Sequence, residues 1–597
     1  MKSPLELLRS MTRIRSVEEE IARRYSEQKM RCPVHLSIGQ ESVAVGISAA
    51  LNRSDWAFSG HRNHAHYLAK GGNLNSMIAE IYGKETGCCG GRGGSMHLSD
   101  LECGFIGATP IVASTVPIAA GAALSAKNEG KNRIVVIYLG DGAMEAGVVS
   151  ETMNFAAVKK LPILFVCENN LYSVYSPLTV RQPENRSLSS FAKSHSIKSI
   201  ELKSDDVEEI YKAAKIAVND VRTSQEPYFL EIPTYRWREH CGPNFDNDIG
   251  YRTEEEYKEW KGRDPIRKLK AQHGINLAVE ENDKIKKEIQ TAFENAENAN
   301  YPRSETRADG VYPKPVTNNT TIAPRRADRR ISYAEALREA QQLGLEKFSG
   351  AYLMGLGVPD PKGIFGSTLG LAEEFGSSRV FDIPLSEHAV TGIAIGSALT
   401  GMRPVLTHQR VDFALVSIDQ IVNQAAKWHY MFNKSMRVPL VIRMIIGRGW
   451  GQGPQHSQSL HAWFAHIPGL KVIMPSTAYD AKGLFLSALY DDSPVILMEH
   501  RWLYHIKDEV PEEEYLVPLD KAKVLKTGSD ITLVGLSYTV LECMKASKIL
   551  SKLKIDCEVI DLVSARPIDT NTITNSVKTT GRLIIVDHAD PTCGIAS

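Results

Sequence analysis

The sequence has no surplus of either charge: seventy Lys and Arg side chains stand against seventy Asp and Glu in 597 residues. A net charge of zero excludes the electrostatic footprint of a nucleic-acid or anionic-membrane binder. No C-x-x-C pair occurs among the nine cysteines, and the histidines show no H-x-x-x-H spacing, so a spacing-defined zinc site is excluded. The odd, scattered cysteine set predicts reduced thiols and a cytoplasmic protein. Met1-Lys2-Ser3-Pro4 leads into an amphipathic helical pattern, not the apolar core of a signal peptide. No short-period repeat is present. The one long uncharged run, Gly104 to Ala126, carries Pro110, Pro117 and three glycines. It predicts a buried loop and helix, not a membrane span. What remains is 43% apolar and 23% charged, the balance of a globular chain, and the length suggests roughly four domains at ~150 residues each.

Residues 1–300 alternate helical and buried-strand patterns. Ile134 to Leu139 is a β-branched run followed by Gly140-Asp141-Gly142 and a helical stretch through Lys160; Ile163 to Cys167 is a second apolar run ending in Glu168-Asn169-Asn170. Strand, turn, helix and strand at this spacing predict a βαβ unit in a parallel sheet. Glu254 to about Asn298 reads as charged helix. Residues 299–330 change character, with Pro302, Pro313, Pro315 and Pro324, a Thr/Asn cluster at 317–321, and Arg325, Arg326, Arg329 and Arg330; this predicts a linker. A second α/β segment follows from 331 to about 510. A third begins after Pro511, with strands near 530–535, 556–561 and 582–586. The fold class expected is α/β with three doubly wound domains. The third is expected to be incomplete, because a buried strand at 583–586 needs a following helix and strand.

The sharpest chemical signal is Asp141 between two glycines with Asn170 twenty-nine positions later. Both fall at carboxyl ends of adjacent parallel strands, where open α/β sheets bind ligands. A carboxylate, an amide oxygen and one backbone carbonyl, for which Tyr172 is placed, form a hard oxygen set. That set suits Mg²⁺ with a diphosphate completing the octahedron. Gly140 and Gly142 let the backbone approach the phosphate.

Gly140 to Tyr172 resembles the thiamine-diphosphate motif, and its flanks resemble the α subunit of 2-oxo acid dehydrogenase E1 components. Gly93-Gly94-Ser95-Met96-His97 matches that family's G-G-S-M-H. His61-Arg62-Asn63-His64 with Ala69-Lys70-Gly71 is similar to its acetoin-type members. Tyr235-Arg236-Trp237-Arg238-Glu239-His240 resembles Y-R-x-x-G-H, with Glu239 replacing glycine. The second half resembles the β subunit at Pro384-Leu385-Ser386-Glu387, Ile418-Asp419-Gln420, Gln455-His456-Ser457-Gln458 and Pro468-Gly469-Leu470-Lys471-Val472. The chain therefore resembles an α and a β subunit fused. On that resemblance, 1–298 is a diphosphate- and Mg²⁺-binding domain, 299–330 a linker, 331–510 a pyrimidine-binding domain and 511–597 a shortened transketolase C-terminal-like domain.

The resemblance implies roles residue by residue. Glu387 is the catalytic glutamate, hydrogen-bonded to N1′ of the aminopyrimidine so that N4′ takes the thiazolium proton; burial would raise its pKa toward the range where proton sharing is easy. Arg62, Arg236 and His240 hold the diphosphate, and Val112 offers backbone contacts to the aminopyrimidine. Here Pro110-Ile111-Val112-Ala113 departs from the family's G-I-V-G. His456 and His64 handle the oxo acid and its protons; His97 either joins them or holds the 90–94 turn. The alternating run Gly447, Gly449, Gly451 and Gly453, with Arg448 and Trp450, reads as the loop that delivers His456. Thr407-His408-Gln409-Arg410-Val411 replaces an acidic residue followed by apolar or aromatic ones, which implies a more polar pocket than simple pyruvate requires.

The expected activity is thiamine-diphosphate- and Mg²⁺-dependent decarboxylation of a 2-oxo acid, with acyl transfer to a lipoyl-bearing E2 partner by a homodimer. The alternatives are a carboligase that passes the activated aldehyde to a carbonyl acceptor, and an E1-like fold that binds without turnover.

Overall fold

The computed structural model describes residues 2–314, 328–448 and 451–597. The central part of the expected linker (Pro315, the 317–321 cluster, Pro324, Arg325 and Arg326) lies outside the described residues, as do Gly449 and Trp450. The chain forms two compact units. One comprises the chain up to Asp309 with Tyr430–Met436; the other comprises Gly310–His429 and Arg437–Ser597.

The first unit is built on a six-stranded, wholly parallel sheet. Its spatial order is Phe105–Ala108, Trp56–Ser59, Val135–Gly140, Ile163–Asn169, Tyr228–Pro233 and Lys198–Glu201. Val135-Val136-Ile137 and Ile163-Leu164-Phe165 are buried on both faces, as continuous apolar strands of a covered parallel sheet must be. The uncharged run contributes the strand Phe105–Ala108 and the helix Thr115–Glu129, buried through Ala126. No described helix is long and apolar enough to cross a membrane. Strand register sets the site: Gly140 pairs with Glu168, and Asn169 with Pro233. Asp141 and Asn170 therefore leave the sheet at the same edge. After Asp141 the chain makes a 3₁₀ turn, Asp141–Glu145, before the helix Gly147–Val158. The charged stretch forms the helices Glu254–Gly262, Pro265–His273 and Val279–Asn298.

The second unit contains a seven-stranded sheet in the order Val380–Phe381, Ala351–Met354, Arg403–His408, Val441–Ile446, Val495–His500, Lys471–Ile473 and Ser564–Arg566. The first six are parallel and the last is antiparallel. The segment after Pro511 thus lends an edge strand to this sheet besides forming its own. Its own sheet has the order Lys523–Lys526, Cys557–Asp561, Ile531–Gly535 and Leu583–Val586. The expectation of a buried strand at 583–586 is corrected: it lies at the sheet edge with Leu583 and Ile584 exposed, because among the described residues no element covers them. Arg329 of the basic run pairs with Glu339 at 2.8 Å and donates to the Val510 carbonyl at 2.9 Å.

Candidate active site

The carboxyl edge of the first sheet opens into a cleft of about 220 Å³. Arg62, Val112, Gly140, Asp141, Gly142, Asn170, Tyr172 and His240 line it, together with His35, His61, His66 and Glu168. Asp141 is buried at the strand end. Its Oδ1 accepts the Asn170 backbone N–H at 3.3 Å, and Asn170 Oδ1 accepts the Tyr172 N–H at 3.2 Å. The Tyr172 hydroxyl turns away to donate to Glu256 at 2.8 Å. Burial pushes the Asp141 carboxyl up, and the Arg181 guanidinium, 2.5 Å from Oδ2, pulls it back. Gly142 packs closely: a Cβ there would meet Ser173 Oγ at 2.9 Å, so a side chain would fill the cleft floor. Gly140 has open space instead.

The opposite wall is basic and imidazole-rich. The Arg62 guanidinium donates to the carbonyls of Leu36 at 2.7 Å and His240 at 3.0 Å. Burial, reinforced by Arg236, pulls its pKa down to about 9. The rings of His35, His61 and His240 lie with centroids 4.8, 5.0 and 5.3 Å apart. Burial first and the Arg62 charge second push His35 to about 2, His61 to about 3 and His240 to about 4. All three are neutral near pH 7. His35 Nδ1 is buried without a hydrogen-bond partner. Such an orphaned polar atom in a cleft wall is costly unless a ligand meets it. Neutral imidazoles, a guanidinium and an oxygen-donor floor form a donor set that fits a Mg²⁺-diphosphate group.

Two expected residues are placed elsewhere. His64 does not line the cleft. It is fully buried, with Nδ1 2.6 Å from Glu18 Oε1 and Nε2 2.7 Å from Ser95 Oγ. It opens the helix His64–Lys70, and the turn of that helix points it into the core. Arg236 is also buried away from the cleft lining. It donates to the carbonyls of Arg238 and Val174, each at 2.7 Å, and to Tyr251 Oη at 2.8 Å, so it braces the loops behind the wall. Glu239, the departure from glycine, closes its own loop: its carboxylate accepts Asn244 N–H at 2.8 Å while its own N–H donates to Asn244 O at 2.9 Å. Of the two roles weighed for His97, the structure has it holding the glycine-rich turn, with Nδ1 2.6 Å from Gly93 O. The main brace there is Glu80, which sequence reasoning missed. Its buried carboxylate accepts N–H groups from Cys89, Gly91, Gly93 and Gly94 at 2.7–3.0 Å.

Glu387 and His456 belong to the second unit. Glu387 opens the helix Glu387–Leu399 and is half-buried. Its neighbour His388 lies 3.3 Å from Asp419. His456 sits in the 3₁₀ turn Pro454–His456, edge-on to Phe413 at 5.3 Å. Two residues on, Gln458 donates to Asp412 at 2.7 Å. The glycines before this turn have a backbone reason: Gly451 and Gly453 adopt φ +68° and +74°, open only to residues without a Cβ at little cost. Arg410 bonds Gln452, and burial lowers His408 to about 4.

His35, His61, His66, Glu168 and Arg181 went unassigned in the sequence. His61 and Glu168 carried a signal, standing in the stretches His61-Arg62-Asn63-His64 and Glu168-Asn169-Asn170; His35, His66 and Arg181 carried none and reach the region only through the fold.

Three family models match the chain: the dehydrogenase E1 component over residues 9–305, the transketolase pyrimidine-binding domain over 329–507 and the transketolase C-terminal domain over 520–597. The chain is 45% identical over 235 residues to the β subunit of acetoin:2,6-dichlorophenolindophenol oxidoreductase of Cupriavidus necator, covering 39% of this chain and 69% of that one. The corresponding Bacillus subtilis subunit is 40% identical over 281 residues, 45% of this chain and 82% of its own. The pyruvate dehydrogenase E1 β subunit of Rickettsia felis is 42% identical over 259 residues, 43% of this chain and 79% of its own.

Proposed function

Because this chain belongs to the thiamine-diphosphate-dependent pyruvate/acetoin dehydrogenase E1 family, with α-like and β-like parts in one polypeptide, we propose that it decarboxylates a 2-oxo acid and passes the acyl group to the lipoyl arm of an E2 partner. Thiamine diphosphate, when bound, supplies the electron sink for loss of CO₂. The Asp141 carboxylate, the Asn170 side-chain oxygen and the Tyr172 carbonyl would hold Mg²⁺. Arg62 and His240 donate to diphosphate oxygens, and Gly142 admits the phosphates to the backbone. Glu387 would hold the aminopyrimidine at N1′ through its carboxyl group, and His456 would handle protons at the substrate. Arg236 and His64 act through the scaffold, the first bracing the loops behind Arg62 and the second tying Glu18 to Ser95. The observation that carries this reading is the convergence of Asp141, Asn170, Arg62 and three neutral histidines on one cleft.

The test is CO₂ release from a panel of 2-oxo acids with Mg²⁺ and thiamine diphosphate, with and without ferricyanide, beside Glu387→Gln. Release that needs Glu387 and rises with ferricyanide is expected. No release from any acid by cofactor-loaded protein would refute the decarboxylase reading. The polar segment around Arg410 supports a carboligase as the second reading, which Glu387-dependent release without ferricyanide stimulation or capture by a lipoyl E2 would favour. A homodimer is the expected assembly, checked by light scattering.

A further inference from the structure

The hairpin that begins at the proposed metal donors ends on a cation. Tyr172–Ser173 pairs antiparallel with Ser176–Pro177, and the helical turn Leu178–Arg181 follows. This fold-back lays the Arg181 guanidinium, itself nearly buried, against the Asp141 carboxylate at 2.5 Å. Its other terminal nitrogen pairs with Glu145 on the 3₁₀ turn, and its Nε donates to Ser176 O at 3.0 Å. Asp141 Oδ1 already accepts Asn170 N–H, so both carboxylate oxygens are engaged. A divalent cation at Asp141 would meet the guanidinium already seated on Oδ2, and like charges at one carboxylate repel.

From this juxtaposition we infer that Arg181 is a built-in competitor of the divalent cation: it holds Asp141 until metal binding hands the guanidinium over to Glu145. The inference rests on the metal reading of Asp141 above. The hairpin suits such movement. Leu171 and Val174 hold φ +71° and +56°, a conformation disfavoured for any side chain and most of all for a β-branched one. A shift of the hairpin can relieve it. Glu145 is partly exposed at 27% of its side chain and can take the whole guanidinium without uncovering a buried charge.

The test titrates Mn²⁺, read by the electron paramagnetic resonance of the free ion, into the full chain with thiamine diphosphate present. Arg181→Gln is expected to bind Mn²⁺ five- to tenfold more tightly, and Glu145→Gln several-fold more weakly, because Arg181 then has Asp141 as its only acid. Arg181→Lys, which keeps a cation at Asp141, is expected within twofold of the parent, and Asp141→Asn is expected to lose binding. Weaker or unchanged binding in Arg181→Gln would overturn the inference while leaving the metal reading intact. Parent-like binding in Asp141→Asn, or none in the parent chain, would overturn both.

Discussion

The Arg443–Glu499 pair clamps the two central strands of the second unit, immediately before the loop that carries His456. Both residues are fully buried. Arg443 donates to Glu499 at 2.6 and 2.9 Å, to Gln341 at 2.9 Å and to Ser367 at 2.8 Å, and Tyr504 adds its hydroxyl to the same carboxylate. The pair is saturated with partners, and such a pair contributes little net stability, whereas removing one member strands the other charge at a cost of about 3–5 kcal/mol. Glu499→Leu, like Arg443→Met, is therefore expected to destabilise by about 4 kcal/mol, a large part of a typical 5–15 kcal/mol total. At 2–4 °C per kcal/mol for a domain of roughly 200 residues, this lowers Tm by about 8–16 °C. The double replacement Arg443→Met, Glu499→Leu removes both charges and is expected within about 2 kcal/mol of the parent. Urea and thermal unfolding followed by circular dichroism form the double-mutant cycle, with a coupling of at least about 2 kcal/mol expected. A single-mutant loss below about 1 kcal/mol, or a double mutant no better than the sum of the singles, would refute the reasoning.

Three further outcomes follow from the first unit. His240, His61 and His35 have folded-state pKa values below the ordinary 6.5. The unfolded chain therefore takes up protons first, and stability falls as pH drops from about 6.5 through about 4. His61→Gln should flatten that slope in acid-unfolding curves, and an unchanged slope would argue that the cluster is already charged. Asp141→Asn should cost at least tenfold in thiamine-diphosphate affinity, read by intrinsic fluorescence, without altering far-ultraviolet circular dichroism; parent-like affinity would remove Asp141 from the metal set. His64→Ala strands Glu18 and Ser95 and should cost about 2–4 kcal/mol. A collapse in turnover with unaltered Tm would restore His64 to the catalytic set.

Composition and pattern suffice for the class of fold. A run such as Val135-Val136-Ile137 can satisfy its side chains only when buried on both faces, and that forces a covered parallel sheet. A strand ending in Gly-Asp-Gly places Asp141 at the carboxyl edge with little help from the rest of the chain, and the spacing to Asn170 is set by one intervening helix. These are local constraints, legible in order along the chain. Side-chain direction is not local. His64 stands three residues from His61 in sequence, yet one ring faces the cleft and the other a buried carboxylate, because His61 lies in the loop after the strand while His64 opens the following helix and is turned into the core. Arg236 reads as a phosphate ligand in the sequence, while in the structure its terminal nitrogens donate to the Arg238 and Val174 carbonyls and to Tyr251. The depressed pKa values of His35, His61 and His240 need three distant segments to meet beside Arg62, since burial and charge proximity exist only after folding. The sequence by itself determined the parallel sheets and the strand edge at which Asp141 and Asn170 stand; tertiary structure decided which other side chains share their cleft and, through burial beside Arg62, how far the histidine pKa values fall.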